Sequence, residues 1–199
     1  MLDFLWSRKK LLFLAFGVVF IGIFFISDFI ARKQIPEPSF SLGEPFSLIN
    51  HLGEPITEQA FKGSPSLLFF GFTYCPEICP TTLVDLSRII ENMGIELPIY
   101  FVTLDPDRDT PEQLANYLPY FGENITGITG PLEEVLSLAN SWGIYRKKVI
   151  TAEDDYTIDH TATVFMLSNR GDFAGTIAWK EAEQVVVQKL QKLLVTLKT

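Results

Sequence analysis

At 199 residues, 47% of them hydrophobic, the chain is long enough to close one sizeable core and to carry an appendage. Its formal net charge is −8, and residues 1–33 hold five basic against two acidic side chains, which leaves −11 on the rest. A polyanion-binding protein needs a basic face; this body has the opposite balance and no obvious Lys/Arg cluster, so nucleic acid is not an expected partner.

Residues 11–30 are apolar except for Ser27 and a single charge, Asp28, near the far end. That length matches the roughly 20 apolar residues a helix needs to cross a bilayer. A cleaved leader has a shorter apolar stretch and a small-residue cleavage site, whereas this run ends in Phe29-Ile30-Ala31-Arg32-Lys33-Gln34. Residues 1–33 are therefore expected to be an uncleaved anchor. Three basic residues precede the span (Arg8, Lys9, Lys10) and two follow it (Arg32, Lys33), a bias that places the N-terminus in the cytoplasm and the body outside. The leading segment is too short and too poor in Arg and Ser for an organelle transit peptide, which points to a bacterial inner membrane with the body facing the periplasm. Residues 34–41, with Pro36 and Pro38, read as an extended linker, and the body starts at residue 42.

In the body, residues 46–50 predict a short strand and residues 51–55 a turn that leaves His51 a solvated loop residue. Residues 66–72 form a continuous apolar run, as in a strand buried on both faces. Leu83, Leu86, Ile89, Ile90 and Met93 then follow at helical spacing, with Pro80 in the first turn and Gly94 to close the helix. Residues 98–104 predict a second buried strand, and residues 105–109 a charged turn. Thr110, Pro111 and Gln113 supply an N-cap, a first-position proline and a capping-box glutamine for the next helix. Residues 125–129 predict a strand, residues 131–142 a helix ended by Gly143, and residues 145–150 an extended segment. Residues 151–159 read as an acidic, polar loop closed by His160. Residues 161–167 and 173–179 predict a hairpin, and Ala182, Val185, Val186, Leu190, Leu193, Leu194 and Leu197 line a final helix. Strands alternating with helices, ending in a hairpin and a helix, predict an α/β domain of thioredoxin type with a mixed sheet.

Both cysteines of the chain, Cys75 and Cys79, stand where the first buried strand runs into its helix. The helix dipole and the free amides of a first turn favour thiolate there. If the helix begins near Cys75, positions i and i+4 share a face and the two sulfurs converge on one ion; oxidised, they can approach for a disulfide. A purely structural disulfide would close so short a loop that it gains little chain entropy. Two thiolates are an incomplete site for most metals, and of the two histidines His160 is the better placed third ligand. Soft thiolates with imidazole suit Cu(I), and Cu(II) where geometry allows, while structural zinc would want a fourth ligand. Asp159 stands beside His160 either as an orienting group or as a turn residue.

Gly71-Phe-Thr-Tyr-Cys75-Pro-Glu-Ile-Cys79-Pro80, then Thr103-Leu-Asp-Pro-Asp-Arg-Asp-Thr110, then Asp159-His160 before a strand, together resemble the SCO/SenC family of membrane-anchored copper proteins. The resemblance covers nearly the whole body. It implies a single N-terminal span, a thioredoxin-like fold, and copper held by Cys75, Cys79 and His160. It also implies a role in assembling the binuclear copper centre of cytochrome c oxidase subunit II, with a copper donor protein or a thiol reductant as further partner. Glu77 stands where Asp is common in the family and Thr161 where Ser is common, and neither removes a ligand. Copper delivery and a thiol–disulfide reductase activity of the Cys75/Cys79 pair both remain open. Against a general oxidoreductase, three residues rather than two separate the cysteines, and Thr161-Ala162 stands where thioredoxins place a proline. Against a thiol peroxidase, Phe72 occupies the position that would need threonine.

Overall fold

A computed structural model describes residues 42–195 except Asp154, so the predicted span at 11–30, the linker at 34–41 and Leu197 lie outside the described residues. Among the described residues no helix is long and apolar enough to cross a membrane.

The core is built on β3, Ser66–Gly71, all six of whose residues are buried. Both faces of this strand are covered, which is why its sequence lacks polar alternation. It pairs in parallel with β4, Ile99–Thr103, which pairs in parallel with β5, Ile125–Thr129. Antiparallel strands extend the sheet outward: β1, Ser47–Asn50, and β2, Pro55–Thr57, beyond β5, and β8, Val164–Leu167, and β9, Phe173–Ile177, beyond β3. The resulting seven-stranded mixed sheet has the order β2-β1-β5-β4-β3-β8-β9. Phe69, Phe70, Phe72 and Phe101 are among its largest fully buried side chains.

Helix α1, Ile78–Met93, buries Cys79, Leu83, Leu86, Ile89 and Ile90 at helical spacing, and Gly94 ends it in the left-handed conformation with φ 62°. Helix α2, Pro111–Tyr117, is capped by Thr110, whose side chain accepts from the Gln113 N–H. The expected reciprocal bond from the Gln113 side chain is replaced: its amide donates to Thr73 Oγ1 at 3.2 Å, tying α2 to the segment before Cys75. Helix α3 is Leu132–Ser141 and α4 is Glu183–Val195. On α4, Val186, Leu190 and Leu193 are buried as predicted, whereas Ala182, just before it, and Val185 are exposed.

Two expectations change. Pro55, read as a turn residue, opens the short edge strand β2, where its missing N–H costs no ladder bond. The predicted loop at 151–159 is largely strand: β6, Arg146–Ala152, pairs antiparallel with β7, Asp155–His160, as a separate two-stranded sheet. Inside the acidic stretch, half-buried Tyr156 and buried Ile158 alternate with Thr157 and exposed Asp159, the period of a strand with one covered face. His160 thus ends a strand instead of closing a loop.

Candidate metal centre

The site forms where β3 meets α1. Helix α1 begins at Ile78, so Cys75 lies in the loop before it and only Cys79 is helical, a correction to a helix starting at Cys75. The sulfurs still converge, because the loop turns back on itself: the Cys75 N–H donates to Phe72 O at 3.2 Å. The Cys79 N–H, one of the amides a helix start leaves unpaired, donates to Cys75 Sγ at 3.4 Å. The helix mouth therefore serves the cysteine in front of it. Cys75 is held well below the ordinary thiol range, chiefly by the hydrogen bond from the Cys79 thiol and then by His160 and backbone amides, against burial. Cys79, 0% exposed, is pushed up by that same bond and by burial. The environment thus favours thiolate at Cys75 and thiol at Cys79, and both cysteines are free.

His160 comes from the far end of β7. Its Nε2 lies 3.7 Å from Cys79 Sγ, and its Nδ1 lies 2.9 Å from Thr161 O. A carbonyl only accepts, so Nδ1 carries a hydrogen and Nε2 is the nitrogen that faces the sulfurs. The Phe72 ring meets the imidazole edge-on at 5.7 Å. Asp159 does not orient the ring; it is exposed, on the opposite face of the strand from its neighbour, and Thr161 O takes the orienting role. The ligand atoms of Cys75, Cys79 and His160 all lie within 4.8 Å of one another, a geometry that can hold a metal ion. His51 is placed elsewhere: its Nδ1 accepts the Gly127 N–H at 3.1 Å, so it is a half-buried, bonded residue and not a solvated one.

Residues inside the two motifs at 71–80 and 103–110 to which the sequence assigned no role complete the site. Gly71 ends β3 against Cys79: a Cβ there would stand 2.8 Å from Cys79 Sγ and 2.8 Å from Phe101 Cε2. The turn at 105–109, expected as a charged turn, buries Asp105 and Asp109 completely. Asp109 accepts from Thr73 N–H at 3.0 Å, Thr73 Oγ1 at 2.6 Å and Thr103 Oγ1 at 2.6 Å, which ties the cysteine loop to the end of β4. Burial raises its carboxyl pKa, and these bonds oppose the rise. The available signal was the position of Asp105 and Asp109 directly after a buried strand.

Comparison with known proteins agrees with this construction. The chain is 37% identical over 149 residues to "Protein SCO1 homolog 1, mitochondrial" of Arabidopsis thaliana, covering 72% of this chain and 45% of that relative. It thus spans about half the length of such curated relatives. The copper-bound structure of Arabidopsis thaliana ScoI superposes with a TM-score of 0.73 at 32% identity, covering 78% of this chain and 99% of that one. The copper-bound structure of Bradyrhizobium japonicum ScoI gives a TM-score of 0.71 at 35% identity, covering 77% and 100%. The SCO1/SenC family profile matches residues 35–195, which is most of the sequence and all of the fold described above, and the chain belongs to that family.

Proposed function

We propose that Cys75, Cys79 and His160 hold one copper ion and that the protein delivers it to the binuclear copper centre of cytochrome c oxidase subunit II. The observation that carries this reading is the convergence of two sulfurs and an imidazole nitrogen within 4.8 Å, a donor set suited to Cu(I) and able to take Cu(II). The copper-bound relatives support the choice of metal. The site favours thiolate at Cys75, so uptake displaces the proton of Cys79, and His160 binds through Nε2. Transfer proceeds by ligand exchange with thiols of a docked acceptor. A copper donor protein supplies the ion, and a thiol reductant keeps the pair competent, because oxidation to a disulfide removes two of the three ligands.

The apolar run at 11–30 supports residues 1–33 as a single-pass anchor in a bacterial inner membrane, residues 34–41 as its linker, and residues 42–199 as a thioredoxin-like body in the periplasm. The test of the site is copper titration of the reduced protein. Wild type binds one equivalent with a sulfur-to-copper absorption band; His160→Ala weakens binding and shifts that band. An unchanged band and affinity in His160→Ala would refute the three-ligand site. Release of the chain from membranes by alkaline carbonate, which frees peripheral proteins only, would refute the anchor.

A second reading rests on the asymmetry of the pair. A thiolate at Cys75 with a buried thiol at Cys79 is the arrangement of an attacking and a resolving cysteine in disulfide reduction. Rapid reduction of an oxidised acceptor by the metal-free protein would favour it, and transfer only from the copper-loaded form would favour delivery.

A further inference from the structure

The cysteines and His160 stand on separate pieces of the fold, the first on the β3–α1 junction and the second on the two-stranded β6–β7 sheet. That hairpin has little apolar anchorage of its own: β6 buries no residue and β7 buries only Ile158. Near His160 it is fixed at its base, where Arg146 Nε donates to Leu104 O at 2.7 Å and Tyr145 and Thr161 bond to one another. Away from that base few side chains hold it: Ile158 is buried in the core, Tyr156 Oη bonds to Asp105, and the His160 ring meets Phe72.

A further attachment is Arg108. Its guanidinium lies 4.5 Å from the centre of the Tyr74 ring and 3.7 Å from that of Tyr156, over both rings at once. Tyr74 is the neighbour of Cys75, and Tyr156 belongs to β7, four residues before His160. Arg108 Nη1 also donates to Tyr156 O at 3.0 Å. The guanidinium is held from below by the buried carboxylate of Asp105, which also accepts from Tyr156 Oη at 2.7 Å. One planar cation therefore touches the loop that carries the thiols and the strand that carries the imidazole. A guanidinium stacks on two rings and donates in its plane at once, which an ammonium does not do.

We infer that Arg108 is a positioning residue for the metal centre: by clamping Tyr156 of β7 against Tyr74 of the cysteine loop, it sets the approach of His160 to the two sulfurs. It is not itself a ligand. This rests on the three-ligand reading above. Loss of the clamp leaves the two thiolates in place and releases the third ligand, so the Cu(II) form, which depends most on the imidazole nitrogen, is affected first.

The experiment compares wild type, Arg108→Ala, Arg108→Lys and His160→Ala in the full-length chain. Two readouts are taken: the sulfur-to-copper band of the Cu(II)-loaded protein, and amide hydrogen exchange of residues 155–160 in the metal-free protein. Arg108→Ala is expected to move the band toward that of His160→Ala and to speed exchange in β7 about tenfold or more, with slower change in α1. Arg108→Lys, which keeps the charge and loses the planar stack, is expected to follow Ala. Removing the arginine strips buried Asp105 of its cation; where Arg108→Ala does not fold, Tyr156→Leu, which leaves the Asp105–Arg108 pair intact, carries the same expectation. A wild-type band and wild-type exchange in Arg108→Ala, or in Tyr156→Leu in its place, overturn the inference if His160→Ala shifts the band. If His160→Ala leaves the band unchanged, the three-ligand reading fails, and this inference with it.

Discussion

Gly71→Ala tests how closely the end of β3 is fitted to the site. The backbone at Gly71 is ordinary strand, so alanine meets no conformational penalty; the obstacle is space. Its Cβ would enter 2.8 Å from both Cys79 Sγ and Phe101 Cε2, closer than real Cβ contacts come. Cys79 and Phe101 are both 0% exposed, and Cys79 is fixed in the first turn of α1, so neither can swing into solvent. Overpacking of this kind costs about 1–3 kcal/mol, which for a domain of this size lowers Tm by about 2–12 °C. The sulfur is the smaller obstacle, and its displacement spoils the convergence on the metal, weakening copper by about 10- to 100-fold, the usual range for disturbing what surrounds a ligand. The assays are thermal unfolding of the reduced, metal-free protein and competition for Cu(I) against a chelator of known affinity. Cys79→Ala in the Gly71→Ala background removes one side of the clash and recovers part of the lost stability relative to the two single changes added together. Wild-type Tm and wild-type copper affinity in Gly71→Ala would refute the close fit.

The opposite shifts of the two thiols give stability a maximum in pH. Cys75 is pushed down to about 4, so the stability it contributes is complete above the ordinary thiol value near 8.5 and is lost as pH falls from there toward about 4. Cys79 is pushed up, so its contribution is complete below the ordinary thiol value and is lost as pH rises above it. The reduced, metal-free protein should therefore be most stable relative to its Cys75→Ser/Cys79→Ser variant near pH 8.5, with flanks no steeper than about 1.4 kcal/mol per pH unit for one proton; a difference that stays flat between pH 5 and 8, measured by urea unfolding, contradicts the lowered Cys75 thiol. At the second buried carboxylate, Asp109→Ala orphans the donors of Thr73 and Thr103 and should cost about 2–4 kcal/mol, whereas Asp109→Asn keeps an acceptor toward Thr73 N–H and should cost less than half as much. Equal losses from the two substitutions in denaturant unfolding would mean that the carboxylate is not held for its acceptor oxygens.

The sequence by itself determined the elements whose signal is local. β3 is legible as an unbroken apolar run, α1 from its 3.6-residue spacing and closing glycine, and α2 from Thr110 and Pro111, because these patterns arise from the chain's own periodicity and cap chemistry. The same locality made the cysteines conspicuous and, by elimination between two histidines, His160.

Charge misled where burial depends on distant partners. Asp105 and Asp109 read only as part of a charged turn, yet tertiary structure buries them and surrounds them with Arg108, Tyr156, Thr73 and Thr103, residues up to 51 positions away in the chain. The acidic residues around 151–159 hid the alternation of β7 for the same reason. Which thiol becomes the thiolate also lay beyond local pattern. A helix mouth favours negative charge, but whether Cys75 or Cys79 receives the free amide depends on where α1 starts and how the loop at 72–77 folds back, and that is set by packing against Gly71, Phe72 and Phe101. Composition and spacing named the donors; only the fold, closing a hairpin 81 residues downstream onto the helix mouth, brought His160 Nε2 to 3.7 Å from Cys79 Sγ.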